Sequence, residues 1–126
     1  MANIPVISDA EWEVMEVLWA RRQAAADEVV AALAHKKNWH ARTVKTLLNR
    51  LLKKGALEFE IVGKKYLYRP RSSRDACVKA ESQSFLAKIF GGNRGAMLCR
   101  FVDETKLSET EIAELRKLLE RKSKER

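Results

Sequence analysis

The stretch from Trp39 to Leu57, WHARTVKTLLNRLLKKGAL, constrains this chain more than any other. With Val44 as zero and an α-helical turn of about 100° per residue, Leu47, Leu48, Leu51 and Leu52 fall within about 80° of it. That apolar stripe at i, i+3, i+4, i+7 and i+8 has to be buried against other elements. Arg42, Lys45, Thr46, Asn49 and Lys53 fall on the opposite face, with Arg50 on its flank, and no acidic residue lies between His40 and Ala56. Gly55 then stands where a C-terminal glycine turns left-handed without a Cβ penalty. A solvated amphipathic helix would share the pattern, so the segments around it decide what it means.

After Gly55 the period changes. Leu57, Phe59 and Ile61 alternate with Glu58 and Glu60, which predicts a half-buried strand. Val62-Gly63-Lys64-Lys65 reads as a turn with a basic tip. Tyr66 and Tyr68 alternate with Leu67 and Arg69 in a returning strand that Pro70 ends. Upstream, Ser8 with Glu11 forms a capping box, opening a helix at Ser8 that stops near Ala20–Arg22. Its apolar face is Trp12, Met15, Val17, Leu18 and Trp19, with Glu13 and Glu16 outside; the two tryptophans read as core rather than as a ligand platform. A second helix runs from about Ala25 to His35 with Val29, Val30 and Leu33 inward, although QAAAD offers no Ser or Thr cap. Trp39 is placed to staple the basic helix onto the other two. Three short helices, the third basic, followed by a hairpin predict a mainly α fold with a small β-hairpin: a winged helix-turn-helix domain over residues 1–71.

Charge supports a nucleic-acid surface. The net charge of +8 is unevenly spread: −4 over residues 1–35, +9 over 36–71 and +3 over 72–126. An excess concentrated on and just after an amphipathic helix is the footprint of a duplex-binding face. Arg42, Lys45, Thr46 and Asn49 are placed to read base edges, and Thr43, Arg50, Lys53, Lys64, Lys65 and Arg69 to sit on phosphates.

Residues 72–126 read as a helical region. Arg74 to Phe90 carries Val78, Phe85, Leu86 and Ile89, and Gly91-Gly92-Asn93-Arg94-Gly95 breaks it. Ala96 to Val102 is a short apolar segment holding Leu98 and Phe101. Ser108 with Glu111 caps a last helix striped by Ile112, Leu115, Leu118 and Leu119, with SKER frayed at its end. Such stripes lack a core of their own and must either fold back on the winged helix or pair with the same segments of a second copy. The winged helix already has its own core, so the second is expected, making a homodimer suited to an inverted repeat.

Other classes find little support. Met1 to Ile7 is too short for a signal peptide and no apolar run approaches a membrane span, so a cytoplasmic protein without membrane insertion is expected. Cys77 and Cys99 fit reduced, partly buried thiols, and His35 and His40 fit surface or capping positions, so neither a metal nor a cofactor is expected. No glycine-rich phosphate loop and no nucleophile beside a base point to an enzyme. A winged-helix adaptor for another protein is the competing reading, but it needs an exposed apolar patch, and the outward face of residues 42–53 is charged.

ISDAEWEVMEVLW, WHARTVKTLLNRLLKKGAL, a wing ending in YLYRP, and GAMLCRFVDETKLSETEIAELRKLL near the end together resemble the penicillinase and methicillin-resistance repressor family of bacteria. The resemblance covers nearly the whole chain. It implies a homodimeric winged-helix repressor on an inverted repeat built on TACA and TGTA, held together by its C-terminal helices. It also implies a membrane-bound sensor-protease that relieves repression by cleavage, at a bond mapping to Arg100–Phe101. The family usually has Asn before that Phe, so Arg100 is a departure. His40-Ala41 stands where relatives often have Ser-Pro, weakening the helix cap by ~0.5–1 kcal/mol. Lys45 stands where Arg is common, and Lys lacks the bidentate fork to guanine. A copper-sensing branch uses Cys-x-Cys pairs, which this chain lacks.

Overall fold

Ser8 opens the fold. Its Oγ accepts the Glu11 N–H at 3.1 Å, its own N–H donates to Glu11 Oε1 at 2.9 Å, and helix α1 (Asp9–Arg21) follows. In the computed structural model, which describes residues 4–125, the chain divides into two compact units, Met1–Ser82 and Gln83–Arg126. The expectation of no leader in Met1–Ile7 falls partly on residues 1–3, outside the described residues.

In the first unit, α1 buries Val14, Met15 and Leu18 completely, with Trp12, Val17 and Trp19 half-buried around them. Val14 was absent from the predicted face because the two tryptophans drew the stripe toward themselves. They pack edge-to-face at 5.1 Å, and Trp19 Nε1 donates to the Ser72 carbonyl at 3.0 Å.

Strand β1 (Ala24–Ala25) was not predicted, since two alanines carry no strand signal; it exists because it pairs with a later strand. Helix α2 (Ala26–Lys37) follows, and the cap that QAAAD seemed to lack comes from the other side: Ala25 N–H donates to Glu28 Oε1 at 2.9 Å. Asn38, at φ 57°, ends it.

Helix α3 (Ala41–Lys54) buries Val44, Leu47, Leu48 and Leu51 against α1 and α2, with Trp39 packed at its entrance. Gly55 ends it at φ 82°, and the Ala56 N–H returns to the Leu51 carbonyl at 2.9 Å. Strands β2 (Leu57–Val62) and β3 (Lys65–Pro70) form the hairpin, with Gly63 at φ 65° in its turn. The sheet order is β1-β3-β2, all antiparallel.

The half-buried β2 of the sequence reading is corrected. Leu57 is buried, but Phe59 is 43% and Ile61 60% exposed. Alternation identified the right face, which Tyr68 and Tyr66 share across the register. The hairpin, however, runs past the helices that would cover it. Phe59 stacks on Tyr66 instead, at 4.8 Å.

Helix α4 (Arg74–Phe90) begins inside the first unit. Cys77 is buried in its core, and Arg74 Nε donates to Glu16 Oε1 at 2.7 Å. In the second unit, helix α5 (Arg94–Glu104) is longer than the apolar segment predicted, because Asn93 Oδ1 caps it through the Ala96 N–H at 3.0 Å. Helix α6 (Glu109–Lys124) starts on the Ser108–Glu111 capping box and keeps Ser123 and Lys124 helical where fraying is expected, with Glu125 as its C-cap; Arg126 lies outside the described residues. Cys99 is exposed rather than partly buried. No described helix is long and apolar enough to cross a membrane.

Candidate nucleic-acid interface

Burying the leucine stripe of α3 turns the rest of that helix outward. Arg42, Thr43, Lys45, Thr46, Asn49, Arg50 and Lys53 are all exposed. Among the described residues none of the cations in this set has a carboxylate within 4.0 Å. The face is therefore positive and uncommitted along the whole helix. The N-cap His40 makes no side-chain capping bond, leaving the first amides of α3 open. Thr46 Oγ1 donates to the Arg42 carbonyl at 2.9 Å, so it presents an acceptor and a methyl rather than a donor. Asn49 can both donate and accept, the pattern that matches an adenine edge.

The wing is less uniform than its composition suggests. Lys64 is exposed at the turn, but Lys65 Nζ lies 3.7 Å from Asp27 Oδ2. Arg69 Nε donates to Glu58 Oε1 at 2.8 Å, and its Nη1 lies 3.6 Å from Glu60. This exposed pair holds the Glu58 carboxyl below its ordinary value and the Arg69 guanidinium above its own, each chiefly through their shared hydrogen bond. The structure thus brings Lys64 to the surface uncommitted and places Lys65 and Arg69 against carboxylates.

One pair beneath the interface escaped sequence reasoning. Glu11 is 1% exposed, and Lys54 Nζ donates to its Oε1 and, at 3.0 Å, to the Val6 carbonyl. The last turn of α3 is thereby fastened to the first turn of α1. Burial pushes the Glu11 carboxyl up, but Lys54 and the two contacts with Ser8 outweigh it and hold the carboxyl low. A signal existed: Lys54 falls roughly 80° from Val44, on the rim of the apolar stripe, where a lysine reaches inward.

In the second unit, neither α5 nor α6 contributes a buried residue. Phe85, Leu98, Phe101, Ile112, Leu118 and Leu119 are exposed, as are Ile89 and, in the first unit, Val78; Leu86 and Leu115 are half-buried. Leu98, Val102, Leu107, Ile112 and Leu115 help line an almost wholly apolar cavity of about 390 Å³. The Arg100–Phe101 bond lies inside α5, with Arg100 Nη1 on Glu104 at 2.7 Å and Phe101 packed against Phe85 at 5.9 Å.

Residues 7–121 match the family described as penicillinase repressor. The chain is 38% identical over 120 residues to the penicillinase repressor of Bacillus licheniformis, across 95% of this chain and 94% of that one. It is 33% identical over 116 residues to the methicillin resistance regulatory protein MecI of Staphylococcus aureus strain N315, across 92% and 94%. The solution structure of monomeric Bacillus licheniformis BlaI in complex with the blaP half-operator superposes with a TM-score of 0.53 at 40% identity, covering 60% of this chain and 92% of that one. Apo MarR from E. coli, 17% identical with a TM-score of 0.51 over 91% of this chain and 76% of its own, shares the fold. Sequence and fold together settle the family: the chain belongs to the penicillinase repressors.

Proposed function

We propose that this protein is a cytoplasmic transcriptional repressor that binds a DNA inverted repeat as a homodimer, with α3 in the major groove. The observation that carries the reading is the outward face of α3, cationic from Arg42 to Lys53 and paired with no carboxylate among the described residues. Arg42, Lys45, Thr46 and Asn49 are assigned to base edges, and Thr43, Arg50, Lys53 and Lys64 to phosphates. Lys65 and Arg69 reach phosphates only by leaving their carboxylate partners. The half-operator complex of the BlaI relative supports DNA as the partner. Asn49→Ala is expected to lose ~1–3 kcal/mol on a TACA/TGTA repeat and far less on a scrambled duplex, measured by fluorescence anisotropy. Equal losses on both would remove Asn49 from base readout.

Residues 1–71 are assigned to DNA and 72–126 to dimerisation, with the start of α4 also completing the core of the first unit. The exposed stripes of α5 and α6 support this, since apolar residues in this number need a partner surface. Leu119 is 66% exposed, so Leu119→Glu leaves a monomer well folded while placing a charge in the dimer interface. Sedimentation velocity is expected to show dimeric wild type and monomeric Leu119→Glu; a variant that stays dimeric takes Leu119 out of the interface. Relief of repression is assigned to cleavage at Arg100–Phe101 by a membrane-bound sensor-protease. That bond is helical, so α5 must unwind locally before a protease can take it.

The adaptor reading draws on one observation, the exposed Phe59–Tyr66 stack with Ile61 and Val62 beside it on the wing. Failure of the wild-type protein to bind any duplex at low salt would favour it.

A further inference from the structure

The wing hairpin carries three cations, and two of them face carboxylates of their own chain: Arg69 meets Glu58 and Glu60, and Lys65 meets Asp27. Asp27 comes from outside the hairpin. Strand β1 pairs Ala25 with Leu67, and that pairing sets the first turn of α2 beside β3, two residues from Lys65. Among the described residues, Lys64 is the wing cation with no carboxylate within 4.0 Å.

We propose that Asp27 acts as a brake on sequence-independent DNA affinity: it occupies Lys65 and leaves the wing a single phosphate contact, through Lys64. The inference rests on the DNA-binding reading above. The Asp27–Lys65 pair is a modest one, because its side chains are 72% and 67% exposed and water competes for both; it withholds Lys65 by a few-fold and no more. Its consequence lies in the charge the wing presents. Each phosphate neutralised adds about 0.9 to the slope of log K against log salt, whatever the base sequence. Releasing Lys65 to a phosphate therefore tightens binding to arbitrary duplex about 5-fold at 0.15 M salt, taking that contact as lost near 1 M.

The test is a salt series of anisotropy titrations on a scrambled duplex, using the full chain. Asp27→Asn is expected to bind about 5-fold tighter than wild type, with a slope steeper by about 0.9, while Asp27→Glu stays at the wild-type value. Lys65→Ala alone is expected to change neither quantity, and Lys64→Ala to flatten the slope by about 0.9. The double variant Asp27→Asn/Lys65→Ala separates two origins of the gain. A double variant that binds no tighter than Lys65→Ala alone assigns it to Lys65. A gain over Lys65→Ala makes Asp27 a general repulsive charge and overturns the proposal, as does Asp27→Asn binding like wild type. Asp27 also stands in the first turn of α2, so a small drop in the melting temperature of Asp27→Asn is expected from the lost helix-end charge, whereas loss of helical signal before DNA is added would assign the change to structure and overturn the proposal. If the wild type binds no duplex even at low salt, the DNA-binding reading falls and the brake with it.

Discussion

Leu51→Ala is expected to destabilise the first unit by about 3–4 kcal/mol, more than any change on the DNA-facing surface. Leu51 is fully buried and sits in the α3 stripe between Leu47 and Leu48 and the last turn of the helix. Truncation removes three methylene-sized groups from water-free contact and leaves a cavity walled by rigid elements on every side. Helices α1 and α2 both press on that face, so collapse can recover little. Leu52, only half-buried, gives the internal comparison: its alanine variant is expected to lose clearly less. Urea unfolding of both variants provides the measurement. A loss under about 1 kcal/mol at Leu51 would mean that the stripe is not the main fastening of α3.

Lys54→Met is the second large effect, about 2–3 kcal/mol near neutral pH. Breaking a buried ion pair strands the buried partner. Here that partner is Glu11, sealed in the core, while Lys54 keeps about a third of its side chain in solvent. The loss is therefore placed below the full range for wholly buried pairs. The reverse change, Glu11→Gln, is expected to be milder, about 1 kcal/mol, because Lys54 can turn its ammonium to water. The asymmetry also has a pH signature. In the wild type, Lys54 and Ser8 hold Glu11 below its ordinary 4.5, so its contribution is present above about pH 4.5 and fades as pH falls through the lower folded value. Without the ammonium, burial acts on the carboxylate with only Ser8 against it, and protonation relieves the strain. The deficit of Lys54→Met should thus be greatest near pH 7 and shrink below pH 4.5. A deficit independent of pH would contradict the assignment to a stranded carboxylate.

These effects show which features were legible in the chain. The α3 stripe, the Ser8 and Ser108 caps, the Gly55 stop and the hairpin turn are local signals, set within a few residues, and they stand in the structure as read. What was missed depends on partners distant in sequence. Strand β1 is two alanines made extended by Tyr68 and Leu67. Glu11 reads as a capping acid, which it is, but its burial under Lys54 spans 43 positions along the chain. Phe59 and Ile61 occupy the face that alternation assigns, yet alternation cannot say where the covering layer ends. The wing illustrates the same limit for the site. Its basic tip was plain in the sequence, whereas the pairing of Lys65 with Asp27 and of Arg69 with Glu58 and Glu60 needed the register of three strands.

The central claim is that an α3 with an uncommitted cationic face reads DNA as one half of a dimer. Fluorescence anisotropy of the wild-type protein on a TACA/TGTA inverted repeat and on a scrambled duplex, at two salt concentrations, tests it most directly. The account predicts tight binding to the repeat with one dimer per site, and weaker binding to the scrambled duplex that falls steeply with salt. Equal affinity for both duplexes would contradict specific readout by α3, and no binding at low salt would contradict the claim itself.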